Sequence, residues 1–148
     1  MDASDPFDLG RFVDAQRHGY DGIVRELRSA RKTSHWMWFV FPQVAGLGSS
    51  WVSQQYAIRS LDEARAYLAH PLLGSRLREC TDLVLAAPRN ATATSIFGGI
   101  DAMKLRSSMT LFLRAAPDEP RWRQLLDRYY AGVPDELTDQ LLRQAPSG

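Results

Sequence analysis

The sequence predicts an all-α fold, a compact multi-helical single domain of about seven to nine helices. Apolar residues recur three and four positions apart in most segments, as they do on the buried face of an amphipathic helix. Residues that typically cap or stop helices separate these segments. Only residues 36–41 have the length and aromatic content of a strand, and a single strand has no partner with which to pair.

The first helices are predicted from helical spacing and from one cap. Residues 9–16 and 20–27 each place apolar side chains on one face, and Gly19 lies at the break between them. Ser60 begins a further helix with the pattern of a capping box. In that motif the Ser60 side chain accepts from the amide of Glu63, and the Glu63 side chain reaches back to the cap.

In the second half of the chain, residues that typically begin or end helices again separate the helical segments. Pro71 suits the first turn of a helix that stops before Pro88. A long helix is predicted over residues 101–116, with its apolar stripe facing the core. We expect Asp118 to cap the helix that follows and Asp135 to begin the last one.

Composition limits the classes of function. The chain has 148 residues and is expected to form one domain, 1–148, with an ordered core over about 7–145. Its lone cysteine, Cys80, excludes an internal disulfide and is expected to be an inert core thiol. We expect neither a metal nor a cofactor.

Charge and hydropathy also predict where the protein is located and which partners it does not bind. The net charge of +1 gives no general attraction to nucleic acid, so we do not expect nucleic-acid binding. No apolar stretch reaches the ~18 residues of a membrane span. The N-terminal residues are acidic, unlike a secretory signal, and we therefore expect a cytoplasmic protein that does not bind membranes.

The most informative segment is His35–Gln43, which holds four of the fifteen aromatic residues. If Trp36 and Trp38 are buried, their indole N–H groups need hydrogen-bond partners. The segment then forms either part of the core or the wall of a pocket in which a planar group stacks. In the second case His35 or Gln43 supplies hydrogen bonds to the ligand.

A second candidate is the start of the helix predicted from Asp101. Two glycines at 98–99 precede it, and the free amides of a helix N-terminus can bind phosphate or carboxylate. Lys104 lies one turn further, and Ser107 and Ser108 follow it on the same face. The structural alternative is that the small serines allow another helix to approach closely, while Asp101 caps the helix and pairs with Lys104.

A turn rich in glycine and serine at residues 46–50 precedes another short helical segment. We expect Ser49 or Ser50 to cap a helix running to about Ile58, in preference to a phosphate cradle. Tyr56 lies near its end, where a phenol can contact a ligand or simply pack.

These segments resemble the signatures of a bacterial family known as domain of unknown function 1810. The matching segments are 35–43, 46–49, 56–58, 70–74, 79–80, 96–98 and 104–112. The resemblance extends from about Phe7 to Leu142 and implies a mostly α-helical cytoplasmic domain without an established activity. Family members often carry two adjacent acids before the lysine, but here Asp101 is followed by Ala102, which argues against a paired-carboxylate mechanism.

If the signature segments converge, their rings, hydrogen-bonding groups and cation would suit a phosphorylated planar ligand, such as a nucleotide or an ADP-ribose derivative. Hydrolysis of such a ligand is compatible with the pattern, but the sequence names no catalytic residue. The predicted ligand-binding residues are His35, Trp36, Trp38, Gln43, Tyr56, Lys104, Ser107 and Ser108. The hypothesis requires the side chains of Trp36 and Lys104 to share a cavity.

The alternative is a protein-interaction or homo-oligomerisation module without catalysis. In that case Trp36, Trp38 and Trp51 would lie in an exposed apolar patch or at a homodimer contact, where tryptophan is favoured.

Overall fold

A computed structural model describes residues 5–144 of the chain. Over this range it contains ten α-helices and no strand, which confirms the all-α prediction. The helices are α1 (Gly10–Gln16), α2 (Tyr20–Arg28), α3 (Met37–Val40), α4 (Trp51–Gln55), α5 (Leu61–Ala69), α6 (Pro71–Leu85), α7 (Ala93–Phe97), α8 (Gly99–Ala115), α9 (Pro120–Tyr130) and α10 (Glu136–Gln144). The count exceeds the predicted one because α3 and α7, of four and five residues, carry too few positions for a periodic signal.

Helix α8 lies at the centre of the molecule, and α5, α7, α9 and α10 pack against it. A chain of buried aromatic rings crosses this core from α1 to α9. Ring centroids are 5.1 Å apart for Phe12 and Tyr67, 5.7 Å for Tyr67 and Phe112, and 5.8 Å for Phe112 and Trp122. Aromatic pairs at these separations stabilise a core beyond the area that they bury.

Most predicted helix starts are confirmed. Ser50 caps α4 by accepting from the amide of Ser53 at 3.1 Å. Pro71 occupies the first turn of α6, and the carboxylate of Asp135 accepts from the amide of Thr138 at 3.0 Å at the start of α10. Helix α4 nevertheless ends at Gln55, before the predicted end, because residue 58 pairs with another part of the chain.

Three predicted caps differ in the structure. Helix α8 begins at Gly99, with Gly98 in the cap position, so Asp101 lies inside the first turn and does not cap it. The Ser60 side chain accepts from the amide of Glu63 at 3.1 Å, as predicted, but the Glu63 carboxylate does not accept from the amide of Ser60. It accepts from the amide of Arg59 and pairs with Arg11 at 2.8 Å. Glu119, and not Asp118, occupies the cap position of α9.

Residues 36–41 form the short helix α3 and its flanks, so the strand-like features of this segment do not produce a strand. Two of its aromatic side chains, Trp36 and Phe41, are buried in the core and contact the ring of Phe97. A single extended residue pair, Val44 with Ile58, is the only bridge that the structure shows over residues 5–144.

Over the same described range, every helix is too short or too polar to cross a lipid bilayer.

Candidate functional site

The chain between α3 and α5 forms a loop that is closed at its base by a backbone bridge. The amide of Ile58 donates to the carbonyl of Gln43, and the amide of Ala45 donates to the carbonyl of Ile58, both at 2.8 Å. Helix α4 lies within this loop and buries none of its residues. The loop is therefore anchored at its ends and exposed at its centre.

A cleft with two adjoining compartments separates this loop from α8. The loop compartment, about 220 Å³, is lined by Trp38, Gln43–Gly48, Ser53, Gln54, Tyr56, Ala57 and Arg59. The α8 compartment, about 310 Å³, is lined by Gln43, Leu47, Gly48, Ser53, Ile100, Met103, Lys104, Arg106, Ser107, Asp135 and Leu137. The compartments adjoin because both are lined by Gln43, Leu47, Gly48 and Ser53.

Lys104 connects the two compartments. Its side chain lines the α8 compartment, and its ammonium lies 4.5 Å from the ring centroid of Trp38, which lines the loop compartment. The same ammonium is 3.5 Å from one carboxylate oxygen of Asp101. The other oxygen of Asp101 pairs with Lys32 at 2.8 Å, so two lysines share one carboxylate and one positive charge is left over.

Trp38 carries a second unusual feature. Its indole nitrogen is buried and has no hydrogen-bond partner among residues 5–144. A buried donor without a partner costs about 1–3 kcal/mol. The ring is thus held in place by packing and by the ammonium of Lys104 rather than by its own hydrogen bond.

Ser107 joins α8 to the start of α10. Its hydroxyl oxygen is 3.2 Å from both the Met103 carbonyl and the carboxylate of Asp135, which also accepts from the hydroxyl and amide of Thr138. Ser107 lines the α8 compartment, whereas Ser108 is fully buried and lines neither compartment.

Five of the eight predicted residues therefore line the cleft: Trp38, Gln43, Tyr56, Lys104 and Ser107. His35 is exposed on the segment before α3 and lines neither compartment. Trp36 is buried in the core, where its indole donates to Glu26 at 3.0 Å. Trp36 and Lys104 thus share neither compartment, so the requirement stated for the ligand hypothesis is not met by Trp36. Trp38 is the indole that Lys104 contacts, and a ligand site at this cleft depends on Trp38 instead.

The other charged and apolar residues of the cleft were not among the predicted ligand-binding residues. Arg59, Arg106 and Asp135 bring charge to it, and Ile100 and Met103 bring apolar surface. One signal was available for the last two, because they are apolar positions of α8 outside the buried stripe of that helix. The charged residues gave no such signal, because Arg106 is on a helix surface, where charge is ordinarily solvated, and Arg59 and Asp135 are in the short segments before α5 and α10.

Cys80 takes no part in the cleft. Its thiol is buried, as predicted, and burial raises its pKa to about 12. A thiol that stays protonated at neutral pH is a poor nucleophile. Over residues 5–144 no group of three or more histidine, cysteine or acidic side chains is placed to hold a metal ion.

Comparison with known proteins identifies the family. Residues 6–142 match the family described as "Protein of unknown function (DUF1810)". The chain belongs to the DUF1810 family. This confirms the resemblance found in the signature segments.

A solved structure is closely similar to this DUF1810 protein. It is the crystal structure of the conserved hypothetical protein Rv1873 from Mycobacterium tuberculosis, which is 53% identical in sequence, with a TM-score of 0.92. The alignment covers 94% of the DUF1810 chain described above and 99% of the mycobacterial chain. Among curated proteins, none matches.

Proposed function

We propose that the cleft binds a phosphorylated small molecule with a planar ring, such as a nucleotide or an ADP-ribose derivative. The observation that carries this proposal is the position of the Lys104 ammonium, over the ring of Trp38 and at the junction of the two compartments. A cation beside an aromatic wall is what an anionic ligand with a planar group requires.

The charges around the cleft favour an anion. Arg59, Lys104 and Arg106 line it, against a single carboxylate, that of Asp135. Asp135 already accepts hydrogen bonds from α10 and lies near the hydroxyl of Ser107. The net positive charge of the lining attracts a phosphate. This electrostatic attraction is stronger inside a cleft of low dielectric than in open solvent.

The loop compartment supports the planar part of the ligand. Trp38 and Tyr56 both line it, and the ring of Tyr56 is held by Phe12 and Phe39, each with a centroid 5.7 Å away. Aromatic walls that are fixed in this way can stack on a base without losing side-chain freedom. Gln43 adds an amide that can hydrogen-bond a base edge.

Ligand-induced stabilisation tests the proposal. The melting temperature is measured with AMP, ADP-ribose, NAD and free bases for the wild type, Lys104→Ala and the control Arg89→Ala, which removes an exposed charge outside the cleft. A ligand at ~100 times its dissociation constant adds about 2.7 kcal/mol. For a chain of this length the melting temperature should rise by roughly 5–10 °C.

We expect the shift for a phosphorylated ligand to persist in Arg89→Ala and to disappear in Lys104→Ala while circular dichroism shows a folded variant. A shift of equal size in both variants, or none with any phosphorylated ligand, would contradict the proposal. Chromatography of the ligand after incubation shows whether binding leads to hydrolysis.

A second candidate function is self-association through Trp51, whose side chain is 73% exposed on α4. The predicted patch of three tryptophans reduces to this one residue, because Trp36 is buried and Trp38 is half-buried. A large exposed aromatic is typical of interface hot spots. Sedimentation should then show a dimer that Trp51→Ala converts to a monomer, and a wild-type monomer at every concentration would exclude it.

A further inference from the structure

We propose that the α8 compartment binds an aliphatic group of the ligand, so that the physiological ligand is a phosphate ester with an apolar substituent. The inference rests on the proposed anion site at Lys104 and adds the chemistry of the group that lies beside it.

The first step is the distribution of exposed apolar side chains. Ile100 and Met103, on the first turns of α8, are 74% and 72% exposed, and Leu137 on α10 is 49% exposed. All three line the α8 compartment, together with the half-buried Leu47 of the loop. Single exposed apolar residues are ordinary, but several that converge on one concave surface are typical of a binding site.

The second step is that folding does not account for these side chains. The buried face of α8 is formed by other residues, including Leu105, Met109 and Phe112, which pack into the core. Ile100 and Met103 lie outside that buried set and gain little from folding, because they stay in contact with water. A ligand that covers them gains the free energy of apolar burial that the fold leaves unused.

The third step is the position of charge beside this surface. Lys104 and Arg106 line the same compartment as Ile100 and Met103. An apolar group that enters this compartment must therefore be attached to, or lie next to, an anionic group to which these cations can donate hydrogen bonds. Lys104 and Arg106 already contact Asp101 and the Val133 carbonyl, but a neutral lipid would add no group for these cations, whereas an alkyl phosphate gives them an anion and covers the apolar wall as well.

Titration calorimetry with methyl, butyl and hexyl phosphate, each below its micellar concentration, tests the inference. We expect the affinity to rise about twofold with each added methylene. This factor corresponds to about half of the free energy gained when a methylene is buried completely, because the compartment is open to solvent. Met103→Gln and Ile100→Gln should abolish this increase. Val133→Gln is the matched control, since Val133 is also an exposed apolar residue but lines neither compartment.

The outcomes separate the two proposals. If methyl and hexyl phosphate bind equally well, or if the increase persists in Met103→Gln, the apolar compartment is refuted, while binding of AMP would still support the anion site. If the increase with chain length is present but AMP does not bind, the apolar compartment is supported and the planar ligand is refuted. If none of these phosphates binds to the wild type, both proposals fail.

Discussion

The carboxylate of Glu26 organises the turn that leads into α3. One of its oxygens accepts from the amides of Thr33 and Ser34, at 2.8 and 3.0 Å, and from the indole of Trp36 at 3.0 Å. Partial burial by itself would raise the pKa of Glu26, but these donors, with the side chain of Ser34, lower it to about 2. Hydrogen bonds to a charged acceptor of this kind are stronger than neutral ones.

Loss of this charge should make the protein less stable in acid. Because the pKa of Glu26 lies below its ordinary value of 4.5, the unfolded chain binds the proton first as the pH falls. Its contribution is complete above pH 4.5 and is lost as the pH falls toward 2. Glu26→Gln should lower the free energy of unfolding at pH 7 by about 1 kcal/mol, a value reduced by solvent exposure.

Urea unfolding of the wild type and Glu26→Gln at pH 6 and pH 3 checks this. The variant should lose less stability between the two values than the wild type does. The exposed Glu136→Gln serves as control and should leave the pH dependence close to that of the wild type. Parallel pH profiles for the wild type and Glu26→Gln would refute the role of this carboxylate.

At the scale of helices, the corner between α5 and α6 depends on a glycine. A Cβ atom added to Gly74 would lie 2.1 Å from the backbone carbonyl oxygen of Leu68. The same oxygen accepts from the guanidinium of Arg78 at 3.1 Å. Backbone atoms cannot move aside as a flexible side chain does, so the two helices meet closely only because residue 74 has no side chain.

Two glycine-to-alanine substitutions should have opposite effects. Gly74→Ala forces the two helices apart and should destabilise the protein by about 2–3 kcal/mol. Gly22→Ala lies inside α2, where the nearest atom to an added Cβ is 3.7 Å away, and should stabilise it by about 0.5–1 kcal/mol. Chemical unfolding of both variants measures the difference, and a neutral Gly74→Ala would show that the corner can relax.

The loop that forms one wall of the cleft is also tied down at this scale. The guanidinium of Arg11 donates to the carbonyl oxygens of Gln55 and Ala57, both at 2.8 Å. It also pairs with Glu63, and both side chains are less than a tenth exposed. This buried pair joins α1, the end of the loop and α5, and so holds Tyr56 in the cleft wall.

For the whole molecule, the aromatic chain through the core should carry a large share of the stability. Phe112, on the central helix α8, contacts both Tyr67 and Trp122. Phe112→Ala removes both contacts and leaves a cavity, which should cost about 3–5 kcal/mol. That is a substantial part of the ~5–15 kcal/mol that keeps a domain folded.

Calorimetry of Phe112→Ala and Phe112→Leu tests this. The leucine variant retains most of the volume and should lose about 1.5 kcal/mol or less. Equal losses in the two variants would show that the aromatic contacts, rather than the filled volume, determine the effect. A loss below about 1 kcal/mol in Phe112→Ala would contradict a central role for this ring.

Local features of the chain were predictable because they depend on neighbours in sequence. Helical spacing, the caps at Ser50 and Asp135 and the proline that begins α6 all appear in the structure. The cap predicted for Asp118 failed, since Glu119 occupies that position and its carboxylate accepts from Arg78 at 2.6 Å. A contact between residues far apart in the chain leaves no mark in a local pattern.

For the candidate site, too, some features were predictable from the sequence and others depended on the tertiary structure. The sequence by itself determined that the aromatic segment and the Lys104 segment are the most unusual in composition, because they combine rings, hydrogen-bonding groups and a cation. Only the tertiary structure decided that Trp38 lines the cleft while Trp36, two residues away, is buried against Glu26. The physical reason is that a ring lines a cleft only where distant elements, here the loop and α8, leave space around it.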